Sequence, residues 1–290
     1  MVCFENALSE PCDIYTGVPQ GSILGPLLFV TFVNDQPDSI LQSHVLMYAD
    51  DTVIFYASKE VSEIERVLNN QLANLHKWLL ENNLFLNKEK TECVLFGSSP
   101  RLCKVQNFSI ILGNQALRCV VEFKYLGIVM DASLTWKSHT VNLFSKVSKR
   151  IVILRRIRNY ITLSAADMVY KSFILPLFDY CDTVWTCCNK GDADRLERLQ
   201  NRAAKTVYEC NCSEIAIDAL RWGLLSKRRD LHVFKLVKKS LMNTVPQFLM
   251  NYFTFNRDIT SRTTRQSNFL HLPKVKTHVL FICVIYNSLV

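Results

Sequence analysis

Two adjacent carboxylates, Asp50 and Asp51, stand between the apolar runs Val45-Leu46-Met47 and Thr52-Val53-Ile54-Phe55-Tyr56. That pattern predicts a β-hairpin with both acids at its tip. Hard oxygen donors on a rigid turn suit Mg²⁺, which usually takes one or two carboxylates together with substrate phosphates. The chemistry open to such a turn is nucleotidyl transfer. Asp is also common in solvated turns, where its side chain bonds the local backbone. The pair alone decides nothing, and the surrounding elements must supply the rest.

Upstream, Gly17-Val18-Pro19-Gln20-Gly21-Ser22 is a Gly/Pro-punctuated loop. The apolar stretch 23–33 after it predicts a helix, with Pro26 suited to the first turn. Glycines at 17 and 21 let the backbone approach a base or nucleotide closely, and Gln20 offers both a donor and an acceptor. Downstream, Val61, Ile64, Leu68, Leu72, Leu75 and Leu79 recur in steps of three and four. They predict an amphipathic helix over 60–82. Leu86-Asn87-Lys88-Glu89-Lys90-Thr91 then leads into the strand text Cys93-Val94-Leu95-Phe96. A Gly113-Asn114 turn separates two further short strands. Phe123-Lys124-Tyr125-Leu126-Gly127 reads as a strand continuing into Ile128-Val129-Met130.

From about Ser133 the text turns helical. Leu143, Val147, Ile151 and Leu154 keep helical spacing, and Lys146, Lys149, Arg150, Arg155, Arg156 and Arg158 lie around them, with no acid between Asp131 and Asp167. Lacking interleaved acids, that face leans toward phosphate contact rather than simple solvation. Residues 192–208 and 225–241 read as two more Lys/Arg-rich helices.

Charge divides along the chain. The first 100 residues carry 5 Lys/Arg against 13 Asp/Glu, and the remaining 190 carry 29 against 13. An acidic, metal-binding part joined to a polyanion-binding part is the expectation. The eleven cysteines include no Cys-x-x-Cys pair and no zinc-finger spacing, so reduced thiols are expected, with no disulfide-linked partner. No apolar run reaches membrane-spanning length. The closing run 279–286 reads as a buried strand or helix.

The Gln20 loop, the Tyr48-Ala49-Asp50-Asp51 turn, the Asn87/Lys90-Thr91 element and the Phe123–Gly127 segment occur in one order. Together they resemble the reverse transcriptases of non-LTR, LINE/jockey-like retrotransposons. The text at Thr264-Arg265-Gln266-Ser267, Leu272-Pro273 and Tyr286-Asn287-Ser288-Leu289 is similar to the end of those reading frames. The resemblance implies an α+β fold: a partial polymerase palm, an antiparallel sheet with helices, over 1–131. A helical, basic thumb would span 132–230 and a C-terminal region 231–290. It implies an RNA-directed DNA polymerase that adds dNTPs to a DNA primer on an RNA template through two Mg²⁺ ions.

By the same resemblance Asp50 and Asp51 are metal ligands and catalytic with Lys90, which would hold or protonate pyrophosphate. Gly17, Pro19, Gln20, Gly21, Tyr48 and Ala49 face nucleotide and template, although Ala49 reads first as core packing. Phe123, Tyr125, Leu126 and Gly127 form the primer grip, and Lys146, Lys149, Arg150, Arg155 and Arg156 hold the nucleic-acid backbone. The family's third carboxylate lies well upstream of the glycine–glutamine loop. Only Glu5, Glu10 and Asp13 precede Gly17, and none sits in a matching strand. A late-starting chain without fingers or first catalytic strand is the expectation. A catalytically inactive nucleic-acid-binding remnant is the main alternative, and a maturase-like or viral RNA-dependent polymerase another. Localisation is expected to be intracellular, nuclear or cytoplasmic.

Overall fold

A computed structural model describes residues 3–4, 7–10, 17–18, 21–85, 87, 89–259, 265–271 and 281–288. The chain divides into two compact units: 1–120 with 280–290, and 121–279. The fold is α+β, with mostly antiparallel sheets and many helices.

The first unit holds the short hairpin β1 (Cys3–Phe4) and β2 (Ala7–Leu8), then helix α1 (Gly25–Phe32). Strands β3 (His44–Tyr48) and β4 (Asp51–Ser58) follow, then helix α2 (Val61–Glu81). Strand β5 (Glu92–Phe96), the short helix α3 (Ser99–Leu102), the hairpin β6 (Ile111–Leu112) and β7 (Gln115–Ala116), and strand β8 (Arg118–Cys119) come next. Helix α1 carries Pro26 in its first turn, as expected, yet Leu27, Leu28 and Val30 on it are exposed.

The main sheet of this unit has the order β3-β4-β11-β5-β8, where β11 (Phe281–Ser288) comes from the far end of the chain. Residues 281–286 of the apolar run are thus part of a central strand, antiparallel to both β4 and β5. Cys283 and Ile285 join a core with Ile54, Cys93 and Leu95. The leucine stripe of α2 closes that core: Ile64, Leu68, Leu72, Leu75 and Leu79 are all almost fully buried.

The second unit opens with the hairpin β9 (Glu122–Tyr125) and β10 (Ile128–Asp131). Its helices are α4 (Lys137–Ile157), α5 (Leu163–Val169), α6 (Leu175–Asp179), α7 (Asp182–Trp185), α8 (Lys190–Tyr208), α9 (Ser213–Leu220), α10 (Leu225–Leu241), α11 (Gln247–Met250) and α12 (Asn256–Ile259). A π-helical turn spans Tyr170–Ile174. Strand β10 packs on α4, and Ile128 enters the helical core with Leu143, Val147 and Trp185. Asp131 fixes the entry to α4: its carboxylate accepts the Trp136 amide at 2.8 Å and the Thr135 amide at 3.0 Å.

Candidate active site and nucleic-acid interface

Tyr48 pairs with Asp51, so Ala49 and Asp50 alone make the loop of the β3–β4 hairpin. Two-residue hairpin loops favour positive φ because that twist matches the strands, and Ala49 has φ 54°. A residue with a Cβ there is strained by about 1–2 kcal/mol. Ala49 is exposed and does not pack in the core, contrary to its first reading. Tyr48 and Asp50 are exposed and Asp51 is half-buried. Strand alternation puts Asp51 on the face of β4 opposite Ile54, away from α2. At the other end of β3, the buried side-chain oxygen of Gln71 on α2 accepts the amides of Leu41 and Gln42, in the segment leading into the strand, at 2.7 and 3.2 Å.

The register carries the Lys90 element to the same place. Ser288 of β11 lies opposite Asp51, and Tyr286 lies opposite both Val53 and Glu92. Strand β5 therefore starts at the end of the sheet that bears the aspartate turn. The described residues just before it, Asn87 and 89–91, lie at that end, two strands away, on the order of 10 Å. Asn87 builds a turn there: its side chain accepts the Lys90 amide at 3.2 Å, and its carbonyl accepts the Thr91 hydroxyl at 2.8 Å. Thr91 is buried and Lys90 is exposed. The asparagine and threonine shape the turn, leaving the lysine side chain in solvent. Gly17 and Gly21 have φ 78° and 86°, so both adopt backbone that side chains disfavour. Pro19 and Gln20 lie outside the described residues.

In the second unit, residues 123–130 do not form one strand. Leu126 (φ 43°) and Gly127 (φ 86°) fold them into a tight hairpin. Successive positive φ values make the primed turn that right-twisted strands prefer. The Tyr180 hydroxyl donates to the Leu126 carbonyl. A Cβ on Gly127 would sit 3.3 Å from a Tyr180 ring carbon. Phe123 is buried, Tyr125 and Leu126 are half-buried, and Gly127 is exposed. Beside this turn a cavity of about 290 Å³ is lined by Lys124, Gly127, His139, Lys146 and Tyr180, among others. The structure thus brings Lys146 to the hairpin. Burial, helped by the charge of Lys146, holds the His139 imidazole below its ordinary pKa.

The remaining basic residues of α4 divide. Arg150 lies over the Phe173 ring at 4.1 Å and donates to the Phe173 carbonyl within the π-helical turn. These contacts tie Arg150 into the fold. Lys149 and Arg156 are exposed. Arg155 lines a different cavity, with Arg202 and Lys205 of α8.

Comparison with known proteins gives this geometry a family. Residues 2–130 match the family described as reverse transcriptase (RNA-dependent DNA polymerase). The chain carries a reverse transcriptase domain. The chain is 31% identical over 223 residues to the probable RNA-directed DNA polymerase from transposon BS of Drosophila melanogaster, covering 72% of this chain and 24% of that protein. It is 30% identical over 248 residues to the RNA-directed DNA polymerase from mobile element jockey of the same species, covering 81% and 25%. A retrovirus-related Pol polyprotein from type-1 retrotransposable element R1 2 of Nasonia vitripennis is 26% identical over 245 residues, covering 78% of this chain and 59% of that protein. The chain spans about a quarter of the length of the first two relatives. No solved structure matches it.

Within the reverse transcriptase domain the aspartate turn supplies two carboxylates. Among the described residues the one group of three metal-type donors is elsewhere: Asp179, Asp182 and His232 in the second unit. Its donors already have partners. Arg228 grips both oxygens of Asp179 at 2.6 and 2.7 Å, and His232 meets Asp182 at 2.6 Å. This network anchors the two ends of the Tyr180 segment to α10 and reads as structural. Neither it nor Tyr180 was visible in the sequence, since each contact spans about fifty positions with no local motif. The described cysteines are free thiols. Among the described residues no helix is long and apolar enough to cross a membrane.

Proposed function

We propose that the chain is the catalytic-hairpin and thumb portion of an RNA-directed DNA polymerase of a jockey-like, non-LTR retrotransposon. The observation that carries the reading is the Asp50-Asp51 turn, sharing one end of the sheet with Lys90 inside a matched reverse transcriptase domain. The substrates are a DNA primer end on an RNA template and deoxynucleoside triphosphates.

The donor set fits Mg²⁺, because one carboxylate on a strained two-residue turn and one at the strand end beside it are hard oxygen ligands whose remaining positions substrate phosphates and water would complete. Magnesium bound there would lower the pKa of the primer 3′-hydroxyl and offset charge on the departing pyrophosphate. Asp50, the more exposed, is the principal ligand and Asp51 supports it. Lys90 Nζ donates a hydrogen bond to the pyrophosphate oxygens, a point charge on a flexible stem. Glycines 17 and 21 let the loop approach the nascent base pair. The hairpin of β9 and β10 sets the primer backbone, and exposed cations of α4 hold phosphates without reading sequence.

Purified chain with oligonucleotide-primed RNA, deoxynucleotides and Mg²⁺ tests the reading. Primer extension that disappears in Asp50→Ala supports it. Extension that survives this substitution refutes the assignment of the turn. A second reading, a nucleic-acid binder without polymerase activity, is favoured by one observation: Arg155, Arg202 and Lys205 line one cavity of the second unit. Salt-dependent duplex binding without any extension is its signature.

A further inference from the structure

We infer that the second unit carries a dedicated phosphate-binding pocket where the C-terminal ends of α4 and α8 meet, and that its occupant is a phosphodiester of bound nucleic acid. The cavity is about 430 Å³, within the range of pockets that enclose a small ligand. Its wall is built by Arg158, which is largely buried. Arg158 Nε donates to the Val207 carbonyl at 2.7 Å and Nη1 to the Ile161 carbonyl at 3.0 Å, while Nη2 meets the Glu209 carboxylate at 3.1 Å. One guanidinium thereby ties the end of α4 to the end of α8 and consumes the acid lining the pocket.

Three further cations face the same space: Arg155 of α4, and Arg202 and Lys205, one turn apart on α8. None of the three makes an ion pair among the described residues. Glu214 is a further acid on which one of these cations acts. It accepts the Cys212 thiol at 2.9 Å, and Lys205 acts on it only as a minor through-space influence. Basic residues at helix ends ordinarily complement the macrodipole, and magnitudes decide between that role and a ligand. Two helix C-termini present roughly half a negative charge each, about one unit in all, against three unpaired positive charges. The excess calls for an anion. Asn159 and Asn211 at the edge add neutral amide donors. Residues 192–208 read from the sequence only as a Lys/Arg-rich helix, and the convergence of its Arg202 and Lys205 with Arg155 is visible only in three dimensions.

The identity of the anion rests on the polymerase reading above, and the test separates the two. Binding of a labelled RNA–DNA duplex to the full chain is followed by anisotropy across a salt series, which needs no turnover. The double variant Arg202→Gln/Lys205→Gln is expected to bind about tenfold more weakly at low salt. Its log–log salt slope is expected to fall by about two, near 0.9 per lost phosphate contact. Arg155→Gln, on the other helix, is expected to lower it by about one. The charge-retaining Arg202→Lys/Lys205→Arg is expected to keep most of the slope. Unchanged affinity and slope in the neutral variants overturn the proposal, even if primer extension in wild type is intact. A pocket that takes free nucleotide instead would show weakened deoxynucleoside triphosphate binding with an unchanged duplex slope, which also overturns it. Weakened duplex binding together with absent extension keeps the pocket and removes only the polymerase reading.

Discussion

The Tyr180 hydroxyl bonds the carbonyl of Leu126 across 54 positions of sequence. It does so at a turn where two consecutive residues hold positive φ. Leu126 is the costly one, since only Gly adopts that region freely. Tyr180 thus stabilises a backbone shape that the local sequence disfavours, at the hairpin assigned to the primer. Tyr180→Phe removes the donor while keeping the ring. A loss of about 0.5–1.5 kcal/mol is expected in chemical denaturation. Duplex affinity or extension should fall more than this stability loss alone accounts for, because the turn relaxes. Gly127→Ala should cost more than Tyr180→Phe, since a Cβ meets both positive φ and the Tyr180 ring at 3.3 Å. If both variants melt like wild type, the turn is not held as described.

The aspartate turn separates stability from function. Asp50 is exposed on a two-residue loop, so Asp50→Ala should change stability by no more than about 0.5 kcal/mol. Its effect on extension should reach at least about a hundredfold, the scale of losing one electrostatic contact to a transition state. Ala49→Gly tests the strain at φ 54°. Relief of a left-handed alanine is expected to stabilise the chain by about 1 kcal/mol, less what glycine adds to unfolded-state entropy. A thermal melt reads both. A destabilised Ala49→Gly variant would contradict the strained turn.

Strand β11 predicts dependence of the first unit on the far end of the chain. Ile285 is 1% exposed and paired with Ile54 on one side and Cys93 on the other. Ile285→Ala should cost about 2–5 kcal/mol. Val284→Pro should cost still more, because a strand bonded on both edges cannot lose a ladder donor cheaply. Hydrogen exchange would localise the effect. Amides of β4 and β5 should lose protection, while the α4–α8 core keeps it. Equal loss in both units, or none in β4 and β5, would show that the sheet order is wrong.

Periodic features were legible in the sequence, and their partners were not. The stripe from Ile64 to Leu79 marks α2 because burial on one face imposes a 3.6-residue period. Leu143, Val147, Ile151 and Leu154 mark α4 in the same way, and all four are buried. The run at 279–286 announced burial, but nothing local says that its residues 281–286 enter between β4 and β5. Arg150 resembled its basic neighbours, and only the π-helical turn at Phe173, with its available carbonyl, set it apart. The Leu126-Gly127 dipeptide did carry a turn signal, masked by apolar residues on both sides. The two carboxylates were plain as a pair, and the register that brings Lys90 beside them depends on β11, more than 230 positions later by sequence number.

His139 predicts how stability responds to pH. It is 8% exposed, tilted against Trp185 at 5.6 Å, and its Nδ1 faces the Val129 amide at 3.4 Å. Burial is the main cause of its lowered pKa, and Lys146 adds to it. The unfolded chain therefore takes up a proton at higher pH than the folded one. The neutral imidazole contributes its full stability above the ordinary histidine value, near 6.5. That contribution declines as pH falls below this value and is lost as pH passes through the lower folded pKa. Stability measured by denaturant between pH 7.5 and 5 should decrease, and His139→Gln should flatten that slope while lowering stability at pH 7.5. Lys146→Gln should restore part of the folded pKa toward its ordinary value, read directly as an upward shift in an NMR titration of the imidazole. A His139 that titrates at the ordinary value in wild type would remove the buried, neutral ring from beside the hairpin.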